Sequence, residues 1–472
     1  MESAVISQVS PARARSIAGD HWKEALALAL LLGVAAAVEA RGLRAGPNYD
    51  EGVYLASVDA LRHGGRLAVD VFTSQPPGFY VLLQAIAGLV GSSVNPMRIG
   101  FEAVALVGVL GAWLLGRQLS GPAGGLLTAG VYAAAPALAA GATVVAADEA
   151  SVAAAVLALA AYAVATRRDS SAAAVIAGVL ATTAISIKLF APPLLLGVVG
   201  LALVGDRRLR RFAHAGAGAL AAAAVLCVAY ARDLGSIWSD AVAFQVRSGA
   251  NIAANWHMLR GTVDAHTPFT YLVAGGVAAA FVAGRNRETF GLWLATPACA
   301  VFLLTRPTVL EHHRVLLAAA LALAAGVSLG RLPTRFVAVP VALVVAAGLA
   351  QQWIRLGRSA PTPSYQTWAA AQLRSRTAPG ELVATDMPIV AHLAGRDLPG
   401  ELVDTSYARF IAGSLTNRDV IRVLEHDHVR VVVAGRTFYA RPELRRWIEA
   451  HYSQVAGRPG AVIYVRSPHS ER

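Results

Sequence analysis

Ionisable side chains occur at only a few points in the apolar runs of this chain. Two adjacent carboxylates, Asp50 and Glu51, follow the first apolar run, and a second pair, Asp148 and Glu149, stands between two later ones. Carboxylates gathered in this way can act as general bases, hold a metal ion or bind a cationic group. Since ionisable residues at membrane depth are costly, we treat both pairs as candidates for function.

Basic side chains form a second set of candidates. Apart from Lys23, Lys188 is the only lysine in a chain that otherwise uses arginine. A lysine at a turn between two spans is a good point-charge ligand for phosphate, although it could also simply extend to the membrane interface. His312, His313 and Arg314 could donate further hydrogen bonds to a phosphate, or they could be charges at the membrane interface. The histidine pair is weak evidence for zinc because it lacks carboxylate ligands at helical spacing, so the metal requirement stays open.

Asp50 has two interpretations. An apolar stripe at helical spacing follows it and ends at Gly64–Gly65, which predicts that Asp50 is the N-cap of a helix. In the first interpretation the carboxylate has no role beyond capping the helix, and Asp148–Glu149 could cap the fourth span in the same way. An aspartate held ionised by the same N–H groups can also act as a general base toward an incoming hydroxyl. The two roles are compatible.

The elements that position these residues are predicted to be membrane spans. The chain has 472 residues, of which 56% are hydrophobic and 15% charged, and its mean hydropathy is +0.52. Its net charge of +12 comes from arginines spread between apolar runs, which argues against nucleic acid as a partner. About eleven spans are predicted, near residues 23–42, 97–116, 121–141, 149–165, 171–187, 189–205, 212–230, 267–284, 289–304, 314–330 and 334–354.

The orientation of the spans depends on the short run 76–91. If this run does not cross, the arginine-rich loops after it lie on the same side as the basic N-terminus, as short cytoplasmic loops should. If it crosses, all of those loops lie outside. We therefore predict a cytoplasmic tail (1–22), a transmembrane domain (23–358) and an external loop (42–96) with juxtamembrane helices. This topology gathers the candidate residues at the outer face.

A compositionally different segment follows the last span. Residues 359–472 alternate predicted helices with short strands, which indicates a small α/β domain on the outside. Its sequence contains no glycine-rich phosphate loop, and it predicts no chemistry. The loop 231–266, with Trp238, Phe244 and Trp256, is predicted to form part of a carrier or acceptor groove.

An ordered set of segments resembles the membrane glycosyltransferases of the GT-C type, in particular the protein O-mannosyltransferase-like branch that includes the aminoarabinose (lipid A) transferases. The likeness covers about residues 20–330 and rests on "YDEGVYLASVDALRHGG" with "PPGFYVLLQAIAGLVG", on "AADEAS", on "SIKLF" and on "EHHRVLL". By this resemblance Asp50 matches the catalytic aspartate, with Glu51 beside it. Asp148 matches the second acidic site and Lys188 the lysine near the carrier phosphate. The chain departs from the family pattern at Gln75, where a lysine usually precedes Pro-Pro.

The resemblance implies a GT-C fold and an integral-membrane enzyme that moves a sugar from a polyprenyl-phosphate carrier to a hydroxyl of a protein, lipid or glycan. Asp50 would accept the hydroxyl proton, and the sugar would be inverted in a single displacement. Lys188, with His312, His313 and Arg314, would stabilise the departing phosphate. A divalent cation is compatible with this reaction but not required by it. The expected location is the plasma membrane, with the site and the α/β domain outside.

Two alternatives share some of these features. A transporter or flippase for lipid-linked or anionic solutes would place its charges near the bilayer midplane, often in two related halves. A ligase of surface polysaccharide would use similar substrates. The charges of this chain collect at one face and no convincing internal repeat is present, which argues against the transporter, whereas the ligase stays open as an alternative. The sugar and the acceptor are not identified by the sequence.

Overall fold

Apolar helices form most of the structure. They coincide with the long runs of alanine, leucine and valine, which contain few polar side chains. The structure is a computed structural model that describes residues 11–203, 207–243, 251–283 and 287–467. Within these ranges the helices before the C-terminal domain are α1 Pro11–Ala40, α2 Tyr49–Arg62, α3 Pro77–Val90, α4 Val94–Ala133, α5 Pro136–Gly141, α6 Ala147–Arg168, α7 Ser171–Ile187, α8 Pro192–Ala202, α9 Arg208–Ala229, α10 Leu234–Ile237, α11 Ile252–Arg260, α12 Pro268–Val282, α13 Arg287–Leu304, α14 Arg314–Leu329 and α15 Thr334–Gly357.

The predicted spans all coincide with helices, but the count of eleven is not confirmed. Six of the described helices are long and apolar enough to cross a bilayer. One pair bent by 87°, Ile252–Val263 with Pro268–Val282, raises that number to at most seven. Four other apolar helices have only 10–17 residues, which is short for a span of about 20 residues.

Helix α4 contains the predicted span 97–116 and the first part of the predicted span 121–141, and it is broken at Gly121. The φ angle of Gly121 is +80°, a conformation that favours glycine, and Pro122 follows it. A Cβ atom on Gly125 would lie only 2.9 Å from the carbonyl oxygen of Trp113. The two arms of α4 therefore fold back against each other as a helical hairpin.

Arginines from separate loops meet at one end of the helical bundle. Arg117, after the first arm of α4, donates to Glu24 near the start of the first span. Glu288 accepts from both Arg167 and Arg331, whose side chains also reach the main chain just after Arg117. The basic loops after residue 116 and the N-terminal end of the first span thus lie together.

A buried arginine joins three segments at the other end. The guanidinium of Arg98, near the start of α4, donates two hydrogen bonds of 2.7 Å to the carboxylate of Glu51. It also donates to the carbonyl oxygens of Leu43 and Ala45, at 3.0 and 2.7 Å. The segment 45–93, which includes α2 and α3, therefore begins and ends at the same end of the bundle.

The C-terminal segment forms the small α/β domain that its sequence predicts. Its four-stranded sheet has the order β1-β2-β4-β3, with β1 parallel to β2 and the other pairs antiparallel. The strand β3 was not predicted, because its exposed, mostly polar residues lack an apolar pattern. The bounds are β1 Val383–Thr385, β2 Val431–Ala434, β3 Tyr452–Arg458 and β4 Ala461–Arg466, with α16 Ser364–Arg376, α17 Pro388–Ala394, α18 Tyr407–Ile411, α19 Asn417–His426, α20 Arg436–Tyr439 and α21 Pro442–His451.

This domain holds α2 along its length. A Cβ atom on Gly52 would lie 2.6 Å from the backbone nitrogen of Ile389, so the backbones of α2 and α17 approach closely. Further along α2, Asp59 lies 2.6 Å from Nδ1 of His392. At the start of the helix the hydroxyl of Tyr49 donates to the C-terminal domain, as described below. The position of α2 is therefore set by the C-terminal domain as well as by Arg98 of α4.

The ion pair of Glu51 with Arg98 gives a first prediction, on stability. Glu51→Gln should destabilise the folded protein by about 3–5 kcal/mol, because the Arg98 guanidinium would remain buried without its counter-charge. The free energy of unfolding in detergent measures this loss. In the double variant Glu51→Leu, Arg98→Leu, which removes both charges, part of the stability should return. Wild-type stability in Glu51→Gln would show that the pair contributes nothing.

Candidate active site

The start of α2 separates the first two candidate carboxylates. Asn48 is the N-cap: its side-chain oxygen accepts from the backbone N–H of Glu51 at 2.9 Å, and the Glu51 carboxylate accepts from the N–H of Asn48 at 3.1 Å. The prediction that Asp50 is the N-cap is therefore wrong. Asn48 and Glu51 form a capping box, which satisfies the helix start without Asp50. The carboxylate of Asp50 is left available for another contact.

Asp50 lies in the wall of a cavity of about 770 Å³. Most of the lining comes from five segments that are far apart in the sequence: residues 48–54, 74–76, 188–190, 306–313 and 404–411. The first four lie in or beside the helical bundle, and the last belongs to the C-terminal domain. The cavity thus lies where the domain meets the bundle.

Lys188 lines the same cavity and is paired with Asp148. Its ammonium nitrogen lies 2.7 Å from Oδ2 of Asp148, and both side chains are only 5% exposed. The nitrogen also lies 4.7 Å from the centre of the Phe190 ring, which allows a cation–π contact. Asp148 does not line the cavity but lies behind Lys188. We infer that Asp148 orients the ammonium group rather than acting on a ligand itself.

Three more basic side chains complete this part of the lining. Arg306 stacks on Phe190, with its guanidinium carbon 4.8 Å from the ring centre. Nε2 of His312 lies 3.8 Å from Oδ2 of Asp50. Nδ1 of His313 accepts the backbone N–H of Leu310 at 3.1 Å, so in the neutral ring the proton is on Nε2. Together with Lys188 these groups are hydrogen-bond donors, as an anion requires.

The environment of Asp50 acts on its ionisation in two directions. Burial in the cavity wall raises the pKa of Asp50 above the ordinary aspartate value of 3.8. The positive charges of His312 and Lys188 lower this pKa, while the negative charge of Asp404 raises it. The net effect is a raised pKa, which makes the ionised carboxylate a stronger base than an exposed aspartate.

Several predicted site residues do not reach the cavity lining. Glu51 is bound by Arg98, as described above. Glu149 accepts a hydrogen bond of 3.4 Å from the hydroxyl of Tyr132 within the helical bundle. Arg314 pairs with its neighbour Glu311. Of the predicted aromatic groove, Phe244 lies outside the described residues, and the exposed Trp238 and Trp256 do not line the cavity.

Two charged residues of the cavity lining, Arg306 and Asp404, were not among the predicted site residues. Arg306 stands in the same turn as the histidine pair, and its position between two apolar runs was a usable signal. Asp404 had none, since its partner Tyr49 is 355 residues away in the sequence. Gln75, the departure from the family pattern, lines the cavity and donates to the hydroxyl of Tyr54 at 3.1 Å.

Three of these residues also present possible metal ligands. Asp148, His312 and His313 each offer one ligand atom, and these atoms lie within 4.8 Å of one another. The ammonium of Lys188 already neutralises Asp148, however, and Nδ1 of His313 is occupied by a backbone N–H. A cation would have to displace Lys188 and would be repelled by it. The arrangement therefore favours an anion over a metal ion.

Comparison with known proteins finds a family model that matches one part of this chain and solved structures that share its fold. The family model for dolichyl-phosphate-mannose-protein mannosyltransferase matches residues 74–231. Among curated proteins no sequence matches.

Solved structures show the same fold. ArnT from Cupriavidus metallidurans bound to undecaprenyl phosphate aligns with a TM-score of 0.71 and 17% identity, over 94% of this chain and 98% of that one. Its apo state gives a TM-score of 0.69 at 17% identity, over 95% and 98%. The archaeal oligosaccharyltransferase AglB from Archaeoglobus fulgidus, in complex with an inhibitory peptide and a dolichol-phosphate, gives 0.55 at 13% identity, over 94% and 75%.

Proposed function

We propose that this protein transfers a sugar from a polyprenyl-phosphate carrier to an acceptor hydroxyl, with Asp50 as the general base. The observation that carries the proposal is that a carboxylate and several basic side chains line one cavity. The carboxylate of Asp50 faces a cavity that is also lined by Lys188, Arg306, His312 and His313. A base and a phosphate-binding group in one cavity are what this transfer needs.

The reaction can be written on these residues. The ionised carboxylate of Asp50 accepts the proton of the acceptor hydroxyl as its oxygen attacks the anomeric carbon. The bond from that carbon to the phosphate oxygen breaks, and the electron pair leaves with the polyprenyl phosphate. Lys188 and Arg306 stabilise the charge that develops on the phosphate. A single displacement of this kind inverts the anomeric carbon.

We propose that the basic residues of the cavity bind the phosphate of the carrier. That ArnT structure is bound to undecaprenyl phosphate, and a chain with the same fold needs cationic groups for such a ligand. Lys188 supplies a fixed charge because Asp148 holds it. The neutral His313 ring supplies an N–H donor.

We further propose that the cavity opens at the outer face of the plasma membrane. The arginine loops that meet near Glu24 would lie in the cytoplasm, as the positive-inside rule requires. Segment 45–93 begins and ends at the opposite end of the bundle, so α3 would be a juxtamembrane helix that does not cross. The C-terminal domain would then be extracytoplasmic.

Cysteine labelling tests this orientation. In a background with Cys227 and Cys299 replaced by serine, we expect Ser92→Cys and Ser364→Cys to react with a membrane-impermeant maleimide added to intact cells. Ser120→Cys should react only after the membrane is permeabilised. Reaction of Ser120→Cys in intact cells would contradict the orientation.

The raised pKa of Asp50 gives a prediction for the pH profile. Activity should be lost as the pH falls through this pKa, because the base must be ionised to accept a proton. Burial raises the pKa of Asp50, so the acid limb of kcat/KM should lie above the ordinary aspartate value of 3.8. The positive charge of His312 lowers the same pKa, and His312→Gln should therefore shift the limb to higher pH. An unshifted limb, or a shift to lower pH, is the result that contradicts this assignment.

The activity itself can be tested in cells that produce the protein. Replacing the gene by an Asp50→Asn allele should cause a polyprenyl-phosphate sugar to accumulate and one sugar modification of the cell surface to disappear. Mass spectrometry of lipid-linked sugars and of surface glycans measures both. If neither changes in the allele or in a full deletion, the proposed function is wrong.

A further inference from the structure

The C-terminal domain contributes one wall of the cavity through the segment 404–411. This segment is fixed by Arg409, a buried side chain that donates to the carbonyl oxygens of Glu401 and Asp404 at 2.8 and 2.6 Å. The guanidinium carbon of Arg409 also lies 3.5 Å from the centre of the Phe72 ring in the external loop. The segment is thus held both within the domain and against Phe72, so the residues of it that line the cavity extend from a fixed backbone.

Asp404 is the charged residue among those of this segment that line the cavity. Its Oδ1 accepts from the backbone N–H of Ser406 at 2.8 Å and from the hydroxyl of Tyr49 at 3.1 Å. No residue in the described part of the chain donates a hydrogen bond to its Oδ2. The carboxylate is therefore oriented by two bonds to one oxygen, and the other oxygen retains its capacity to accept.

Tyr49 links Asp404 directly to the proposed base, because Tyr49 and Asp50 are neighbours at the start of α2. The two carboxylates also influence each other: the charge of Asp404 contributes to the raised pKa of Asp50. The cavity consequently has an acidic part, formed by Asp50 and Asp404, in addition to the basic part around Lys188. A carrier phosphate belongs in the basic part, and a hydroxyl donor belongs in the acidic part.

We propose that Asp404 is the acceptor-recognition residue of this site. Its Oδ2 accepts a hydrogen bond from an acceptor hydroxyl next to the one that Asp50 deprotonates. The acceptor is accordingly a polyhydroxylated group, such as a saccharide, that carries no negative charge beside its reacting hydroxyl. A phosphate or carboxylate there would meet two carboxylates, and like charges brought together cost binding energy. This inference rests on the proposed function, because it assigns the other substrate of the same cavity.

Binding measurements on the purified full-length protein test the assignment without requiring turnover. The probes are undecaprenyl phosphate, an octyl glucoside as the neutral saccharide, and the same octyl glucoside carrying a 6-phosphate. The wild type should bind the neutral glucoside more tightly than its phosphate. Asp404→Asn should lower the affinity for the neutral glucoside by about 10- to 100-fold, the usual cost of losing a hydrogen bond to a charged group. Its affinity for undecaprenyl phosphate should stay within about twofold of the wild type.

Tyr49→Phe is the matched control. It removes the hydrogen bond from the Tyr49 hydroxyl but leaves the carboxylate of Asp404 in the cavity. We expect its affinity for the glucoside to fall by much less than that of Asp404→Asn. Equal losses in the two variants would mean that Asp404 only anchors the domain to α2, and would overturn the proposal.

Two further outcomes of the binding measurements would contradict the assignment of the acceptor. Preference of the wild type for the phosphorylated glucoside, or failure to bind either glucoside, would overturn the assignment of the acidic part to such an acceptor. These results concern the acceptor alone. A failure of the proposed function would appear separately, as absence of undecaprenyl phosphate binding in the wild type.

Discussion

Asp50→Asn is expected to remove sugar transfer while leaving the protein folded. The rate should fall by about 10²–10⁴, because asparagine keeps the shape of the side chain but cannot accept the proton of the acceptor. Asp50 is not the helix cap, so the variant loses no capping hydrogen bond. Transfer from a polyprenyl-phosphate sugar by purified protein measures the rate.

The direction in which Asp50→Asn changes the stability of the protein can also be predicted. Because burial raises the pKa of Asp50, its ionisation opposes folding, and this cost is present when the pH is above the raised pKa. An uncharged asparagine avoids that cost. The melting temperature at neutral pH should therefore equal or exceed that of the wild type. Glu51→Gln is the neighbouring control, and it should instead be unstable, since it leaves Arg98 unpaired.

The same comparison can reject the mechanism. A folded Asp50→Asn protein with wild-type activity would show that Asp50 is not the base. Loss of activity together with loss of folding would show a structural role instead.

Lys188→Ala should produce the second large loss of activity. Removing one preorganised donor to a developing negative charge typically costs about 10²–10³ in rate. The substitution also leaves Asp148 as a buried charge without its partner, so the protein should be less stable. A measurement of activity alone would not separate the lost stabilisation of the phosphate from the lost stability of the protein.

A double variant separates them. Lys188→Met with Asp148→Asn removes both charges of the buried pair and should recover stability without recovering transfer. Lys188→Arg should recover only part of the rate, because a planar guanidinium does not replace a compact ammonium group. Stability is measured by thermal unfolding in detergent and affinity by binding of undecaprenyl phosphate. Near wild-type turnover in either Lys188→Ala or the double variant would show that this lysine does not serve the phosphate.

Much of the fold could be predicted from the sequence because its determinants are local. Runs of apolar residues specify helices in a membrane environment, and the described part of each predicted run is mostly helical in the structure. The alternation of apolar segments after Pro361 likewise predicted the C-terminal α/β domain. The number of spans was not predictable in the same way. Several apolar helices are too short to cross by themselves, and their depth depends on the helices around them.

The site was only partly predictable because its partners are distant in the chain. Asp50 and Lys188 were identified by their unusual places beside apolar runs. The pairing of Lys188 with Asp148 spans 40 residues, and the contact of Tyr49 with Asp404 spans 355. No local pattern encodes such contacts. They depend on how the helices pack and on where the C-terminal domain sits.

The two adjacent carboxylates illustrate the division most clearly. In the sequence Asp50 and Glu51 are an adjacent acidic pair at the start of a helix, and the family resemblance matches Asp50 to the catalytic aspartate. In an α-helix neighbouring side chains point about 100° apart, so the two must face different surroundings. Glu51 faces Arg98 and is bound inside the protein, whereas Asp50 faces the cavity. The sequence determined that a helix with two acids follows the first span. Only the tertiary structure decided that Glu51 is bound inside the protein while Asp50 lines the cavity, because that depends on what packs against each side of the helix.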